Sequence, residues 1–174
     1  MDVHPATVPA DLRSLRHTFA AFATGVTVLT VGGPRPHGMT ANSFTSVSLE
    51  PPLVLVCVDR RAVMHQRVLD AGAFAVSVLA AGQHAVARHF ADSRRPLGLA
   101  EFDGVAWEPG PATGAPLIGG APAVFECALR DTYDGGDHSI VLGELLWMRR
   151  EGGDDPLLFL DGRFRRVLTP EVAR

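Results

Sequence analysis

The run Met39-Thr-Ala-Asn-Ser-Phe-Thr-Ser-Val-Ser48 gathers short and hydroxylated side chains into one stretch. Side chains this short leave the backbone open to close approach, and each hydroxyl can donate or accept a hydrogen bond. Such a segment suits the edge of a flat polar ring met by main-chain N–H and C=O groups, and it equally suits an edge strand with a Ser/Thr face. Asp59-Arg60-Arg61 follows an apolar stretch and precedes a helix start. Guanidinium groups and helix N-terminal amides can converge there on a phosphate, with His65 as a further donor, or the two arginines can simply face water. Asp137-His138 comes after a glycine pair, which puts an imidazole either beside a bound molecule or in the grip of its own neighbour Asp137.

Other chemistries lack their residues. There is no GxGxxG after a strand, no GxxxxGK[ST], no HExxH and no GxSxG, so classical dinucleotide folds, P-loops, zincins and hydrolase elbows are set aside. His84 and His89 stand five apart, off the helical spacing that would put two ligands on one face, and Cys57 and Cys127 sit singly in apolar stretches; no metal is expected. All 16 basic residues are Arg, which excludes Schiff-base catalysis by lysine. A net charge of -3 gives no whole-molecule attraction to nucleic acid. No run reaches membrane-spanning length and the first 30 residues lack a signal-peptide core, so a cytoplasmic protein with reduced thiols is expected.

The 174 residues, 47% of them hydrophobic, suffice for one domain with one core. Residues 1–11 read as a mobile leader, 12–168 as the domain and 169–174 as a tail. Leu12, Leu15, Phe19, Phe22 and Ala23 recur at helical spacing, predicting an amphipathic helix over 12–23 stopped by Gly25. Val26 to Val31 is β-branched, and Gly32-Gly33-Pro34 turns it into a hairpin. Residues 39–49 alternate, 53–58 form a wholly apolar strand, and 63–71 a short helix closed by Gly72. A strand over 74–79, a helix over 83–91 and a loop-rich stretch over 92–120 follow, the last with a short strand near 105–107. Two long strands, 123–133 and 138–149, joined by Asp134-Gly-Gly-Asp137, precede a closing hairpin around Asp161-Gly162. About seven strands and three helices, mostly joined by short turns, predict a mainly β chain: a closed antiparallel barrel with peripheral helices rather than a doubly wound sheet.

Taken in order, Phe22-Ala-Thr-Gly-Val-Thr-Val-Leu-Thr30, Gly38 through Leu53, Cys57-Val-Asp59, Gly135-Gly-Asp-His-Ser-Ile-Val-Leu-Gly-Glu144 and Pro156 through Phe164 resemble the flavin reductase-like family, the NAD(P)H:flavin oxidoreductases that serve two-component flavin monooxygenases. The resemblance covers residues 12–168. It implies a split β-barrel of the FMN-binding type, a homodimer, FAD or FMN as cofactor, NADH before NADPH as hydride donor, and a separate monooxygenase as recipient of reduced flavin. Aromatic-compound or natural-product metabolism, antibiotic biosynthesis included, is the implied setting. By the same resemblance Thr40, Ala41, Asn42, Ser43, Ser46, Val47 and Ser48 wrap the flavin, and Cys57, Val58 and Asp59 line its cleft. Arg61, Ala62 and His65 approach its phosphate, and Phe90 and Ala91 lie alongside. His138 is the implied catalytic residue and, with Phe164, meets the nicotinamide. Ala62 and Met64 depart from the hydroxyl residues that many relatives carry. A non-catalytic flavin- or haem-binding module on the same barrel is the alternative, and a pyridoxamine phosphate oxidase-like enzyme fits the motifs less well.

Overall fold

The computed structural model describes residues 11–152 and 155–167. Of the expected leader only Asp11 falls among them, and the expected tail lies outside. Asp11 caps helix α1 (Leu12–Phe19), its carboxylate accepting from Arg13 N at 2.9 Å and Ser14 N at 3.3 Å. The helix ends four residues earlier than its apolar stripe predicts. None of its residues is buried, so no packing extends it, and Thr24 and Gly25 must be extended to form β1, which pairs with β11 (Leu158–Leu160). Gly25 is thus a strand residue and not the helix stop.

Seven strands form one antiparallel sheet in the order β3-β2-β6-β9-β10-β5-β4, built from β2 (Thr27–Val31), β3 (His37–Ala41), β4 (Thr45–Leu49), β5 (Pro52–Asp59), β6 (Ala73–Val78), β9 (Ala123–Gly135) and β10 (His138–Arg150). The single alternating stretch expected over 39–49 is therefore two strands, and these two consecutive strands occupy opposite edges. Asn42, Ser43 and Phe44 carry the chain between the edges and draw them together. The Ser43 hydroxyl both donates to Cys57 O and accepts from Cys57 N, each at 3.0 Å, replacing a missing strand pairing with side-chain bonds. The sheet closes on itself as a barrel. Every strand pairing among the described residues is antiparallel, as the turns predicted.

β5 is not buried on both sides. Val54, Val56 and Val58 point into the barrel with Leu29, Met64 and Phe74, while Leu53, Leu55, Cys57 and Asp59 stand half-buried on the outer face. Each large side chain sealed in this core contributes about 1.5–3 kcal/mol. Helix α2 (Val63–Ala71) covers one end with Met64 and Val68, four residues apart, and stops where Gly72 turns to φ +63°. Helix α3 (His84–Ala91) buries Ala87 and Phe90 against a second cluster with Val28, Leu79 and Leu157.

The remaining strands are short. β7 (Trp107–Pro109), two residues later than predicted, pairs with β8 (Pro116–Ile118), and β11 pairs with β12 (Arg163–Arg165) across Asp161-Gly162, both at positive φ. In all, twelve strands lie among the described residues, against about seven expected. The long hairpin is tighter than its sequence predicts: β9 runs on through Gly135, so Gly136-Asp137 alone makes the turn. No helix among the described residues is long and apolar enough to cross a membrane.

Candidate functional site

β3 is an edge strand, and part of the candidate set meets along its outer rim. Gly38 turns its N–H to the Glu101 carboxylate at 3.1 Å and its C=O to the Arg95 guanidinium, so it faces away from β2. By the two-residue period of an antiparallel ladder, the main chain of Thr40 faces the same open side. Two clefts line this rim. One of about 390 Å³ lies between β3, the start of α2 and residues 93–97, and takes in Arg61, Ala62 and Phe90. The other, of about 210 Å³, lies between β3, α3 and the closing hairpin, and takes in Ala41, Asn42 and Phe164. Thr40 and Ala91 belong to both. The Thr40 hydroxyl is spent on Ala87 O at 2.7 Å, clamping α3 to the strand and leaving the Thr40 backbone as the free polar group. Phe90 packs so close that a Cβ on Gly38 would come within 2.7 Å of its ring, which is why this position has no side chain.

The other expected residues lie elsewhere. Ser43 holds the barrel shut, Ser46 and Val47 are exposed on β4, and Ser48 donates to Pro51 O. Val58 is fully buried in the barrel core and lines neither cleft. Cys57 and Asp59 stand on the outer face of β5, where Asp59 is the cross-strand partner of His138.

Around that partner the charges are already spoken for. Arg61 forks onto Asp59 with Nε at 3.2 Å and Nη2 at 3.0 Å, and this hydrogen-bonded guanidinium draws the Asp59 carboxyl down to about 2. The Arg61 side chain remains 84% exposed while bordering the larger cleft. Arg60 does not point to a ligand: it binds Asp134 Oδ1 at 2.7 Å, Gly136 O at 3.1 Å and His138 O at 3.2 Å, strapping the β9–β10 turn to β5. His65 Nε2 lies 2.9 Å from Ser139 Oγ. His138 Nδ1 sits 2.7 Å from Asp137 Oδ1, a contact that lowers the Asp137 carboxyl below its usual range. With Nδ1 so engaged, Nε2 is the ring atom left for another molecule. No trio of His, Cys, Asp or Glu among the described residues is placed to hold a metal.

One group escaped the sequence reading. Glu101 is fully buried and receives four donors: His37 Nδ1 at 2.6 Å and Gly98 N at 3.0 Å on Oε1, Gly38 N at 3.1 Å and Arg95 Nε at 3.2 Å on Oε2. Burial lowers the His37 pKa, Glu101 opposing. The cluster ties residues 95–101 to β3 and so builds one wall of the larger cleft. Arg95 and Gly98 are near Glu101 in sequence, but His37 and Gly38, which make it a tie to β3, come from a segment more than 60 residues away, and no local pattern marks that contact.

The sequence profile of the Flavin reductase like domain matches residues 19–168. The NADH-dependent FAD reductase of Streptomyces globisporus is 59% identical over 162 residues, covering 91% of this chain and 87% of that protein. The NADH:FAD oxidoreductase SgcE6 of the same organism, solved with NAD and FAD fragments, superposes with a TM-score of 0.89 at 53% identity, covering 98% of this chain and 100% of the other. BorF, the flavin reductase component of a bacterial two-component tryptophan halogenase, gives 0.87 at 56% identity over 90% of this chain and 98% of its own. A free strand edge between two clefts, the colinear motifs and these relatives agree, and the chain belongs to the flavin reductase-like family.

Proposed function

We propose that this protein is an NADH-dependent flavin reductase that passes a hydride from the nicotinamide to FAD or FMN and releases reduced flavin to a separate flavin-dependent oxygenase, in natural-product or aromatic-compound metabolism. The observation that carries the reading is the outward-facing backbone of Thr40 where two clefts adjoin: main-chain N–H and C=O groups at a strand edge match the donor and acceptor edge of a flat heterocycle. Ala41, Ala91 and Phe90 offer small or apolar surface beside that edge, and Arg61 and the start of α2 stand at one end for a phosphate. The residues thus fit a flavin. When bound, flavin supplies the hydride-accepting chemistry, and no nucleophilic side chain is needed. The chain's task is to hold two rings about 3–3.5 Å apart and to shield them from water.

His138 lines neither cleft itself; it stands across the strands from Asp59, whose ion-pair partner Arg61 borders the larger one. Asp137 fixes the imidazole through Nδ1, so that Nε2 can orient the nicotinamide or take up a proton. Thr40, Asn42 and Ala91 meet the flavin, Phe164 the nicotinamide. Cys57 and Cys127 are both free thiols, in keeping with a cytoplasmic home. Leu12, Phe19, Phe22 and Leu49 are all more than two-thirds exposed on a single copy, apolar surface that a homodimer would cover.

Loss of NADH absorbance with added FAD or FMN, followed by anaerobic capture of reduced flavin, tests the assignment. Saturable turnover is expected, and flavin binding without oxidation of either nicotinamide nucleotide would leave a flavin-binding module instead. His138→Ala should lower the hydride-transfer rate about 10²-fold while shifting flavin affinity little; unchanged turnover removes His138 from the mechanism.

A further inference from the structure

The smaller cleft along β3 does not end at Phe164. Beyond that ring lies a hollow of about 180 Å³ lined by His84 and Arg88 of α3 and by Arg165 and Arg166 at the end of the closing hairpin. Arg88 and Phe164 border both spaces, and the Arg88 guanidinium carbon lies 5.7 Å from the centre of the Phe164 ring. Three guanidinium groups and an imidazole therefore converge at one place, and no carboxylate pairs with any of them among the described residues. That sets them apart from Arg60, Arg61, Arg94, Arg95, Arg130 and Arg149, each of which has an acidic partner. Like charges brought together without a counterion repel, and an anion bound between them relieves the repulsion.

The order of the spaces along β3 says which anion. Arg61 stands at one end, Thr40 and Ala91 in the middle, Phe164 and Arg88 next, and the basic hollow last. If the flavin phosphate occupies the Arg61 end, as the proposed function has it, a second dinucleotide laid ring to ring against the flavin leaves by the opposite end. Resting on that reading, we propose that His84, Arg88, Arg165 and Arg166 form the subsite for the diphosphate of the hydride donor. A diphosphate carries two negative charges and paired oxygens that guanidinium forks match. Phe164 then stands between the donor's reacting ring and its charged middle.

Arg165→Gln, Arg166→Gln and their double variant test the subsite at exposed positions, with Arg88→Gln and Arg88→Lys beside them. Steady-state turnover gives KM for NADH, FAD and FMN, and calorimetric titration with NAD⁺ gives binding without turnover. Each Gln variant should raise the NADH KM about tenfold and weaken NAD⁺ in proportion, with kcat moving far less, and Arg88→Lys should recover part of the loss. Added salt should erode NAD⁺ affinity in the wild type more steeply than in the double variant. An unchanged NADH KM and NAD⁺ affinity in the double variant would overturn the assignment. A rise in the FAD KM alone, with FMN and NADH unmoved, would also overturn it, by giving the hollow to the flavin dinucleotide. Absence of any NADH-dependent flavin reduction by the wild type would instead defeat the reductase reading itself.

Discussion

Replacing Glu101 by Gln keeps the shape of the side chain and removes a buried charge that four donors depend on. Oε1 faces His37 and the Gly98 amide, and Oε2 faces the Gly38 amide and Arg95. An amide group offers only one acceptor end. Set toward Gly38, its NH₂ meets two donors with no way to reverse either. Set toward His37, the imidazole can switch tautomer and accept, but the Gly98 amide cannot, and in both poses Arg95 keeps a full charge with its side chain only 8% exposed. Breaking a buried ion pair in this way costs about 3–5 kcal/mol. For a chain of this length that is a fall of roughly 10 °C in Tm. The same change releases the wall of the larger cleft, so the KM for flavin should rise along with the loss of stability. Calorimetric unfolding of the two proteins at pH 7 measures the first effect and steady-state turnover the second. A Glu101→Gln protein within 1 kcal/mol of wild type would refute the argument that the cleft wall hangs on this carboxylate.

The His37 ring is held below its ordinary 6.5 by burial, with Arg95 and Arg67 acting in the same direction and Glu101 opposing. The unfolded chain therefore binds this proton first, and stability should fall as pH drops through 6.5 toward the folded value. Guanidinium unfolding at stepped pH should show that slope in the wild type and a shallower one in His37→Gln. Cys127 is sealed in the core, where burial pushes its thiol up to about 12, whereas Cys57 is half-buried on the outer face of β5. A thiol-disulfide reagent should accordingly titrate at most one thiol in the native protein and both in denaturant; fast native modification of Cys127 would contradict the packing. Gly143→Ala would drive a methyl into the Phe74 ring and to 2.9 Å from the Cys127 Cβ, costing about 1–3 kcal/mol in a denaturation midpoint while leaving the β3 clefts untouched.

Short-range signals were legible and long-range ones were not. Gly72 closing α2, the Asp161-Gly162 turn and the two long strands β9 and β10 are written in neighbouring residues, and the structure follows them. The helix end at Phe19 differs because an apolar stripe predicts burial and nothing among the described residues covers this one. β5 was misread for a related reason: an apolar run does not reveal that only alternate residues enter the barrel, and Val58 left the list of cleft residues on that account. Arg60 and Arg61 look alike in sequence, yet one straps a hairpin tip brought to it by a partner strand and the other borders a cleft.

The site itself was visible through a deficit of bulk rather than through reactive side chains. Most residues of 39–48 are short, and on the proposed function their contribution is main chain: Ser43 spends its hydroxyl closing the barrel and Thr40 spends its own on α3, so the groups available to a ring at Thr40 are N–H and C=O. Every residue type but proline has those atoms. What the composition of the run supplies is access, and what turns access into a site is the position of β3 at the edge of the sheet. That position follows from pairings made by strands far along the chain, with β6 taking the far side of β2 and the Glu101 cluster occupying the rim at Gly38 but not at Thr40. A larger side chain at Ala91 should therefore injure binding more than loss of any single hydroxyl between residues 45 and 48. Flavin titrations of Ala91→Leu beside Ser46→Ala compare the two, and an equal loss in both would show that the hydroxyls, and not the open backbone, hold the ring.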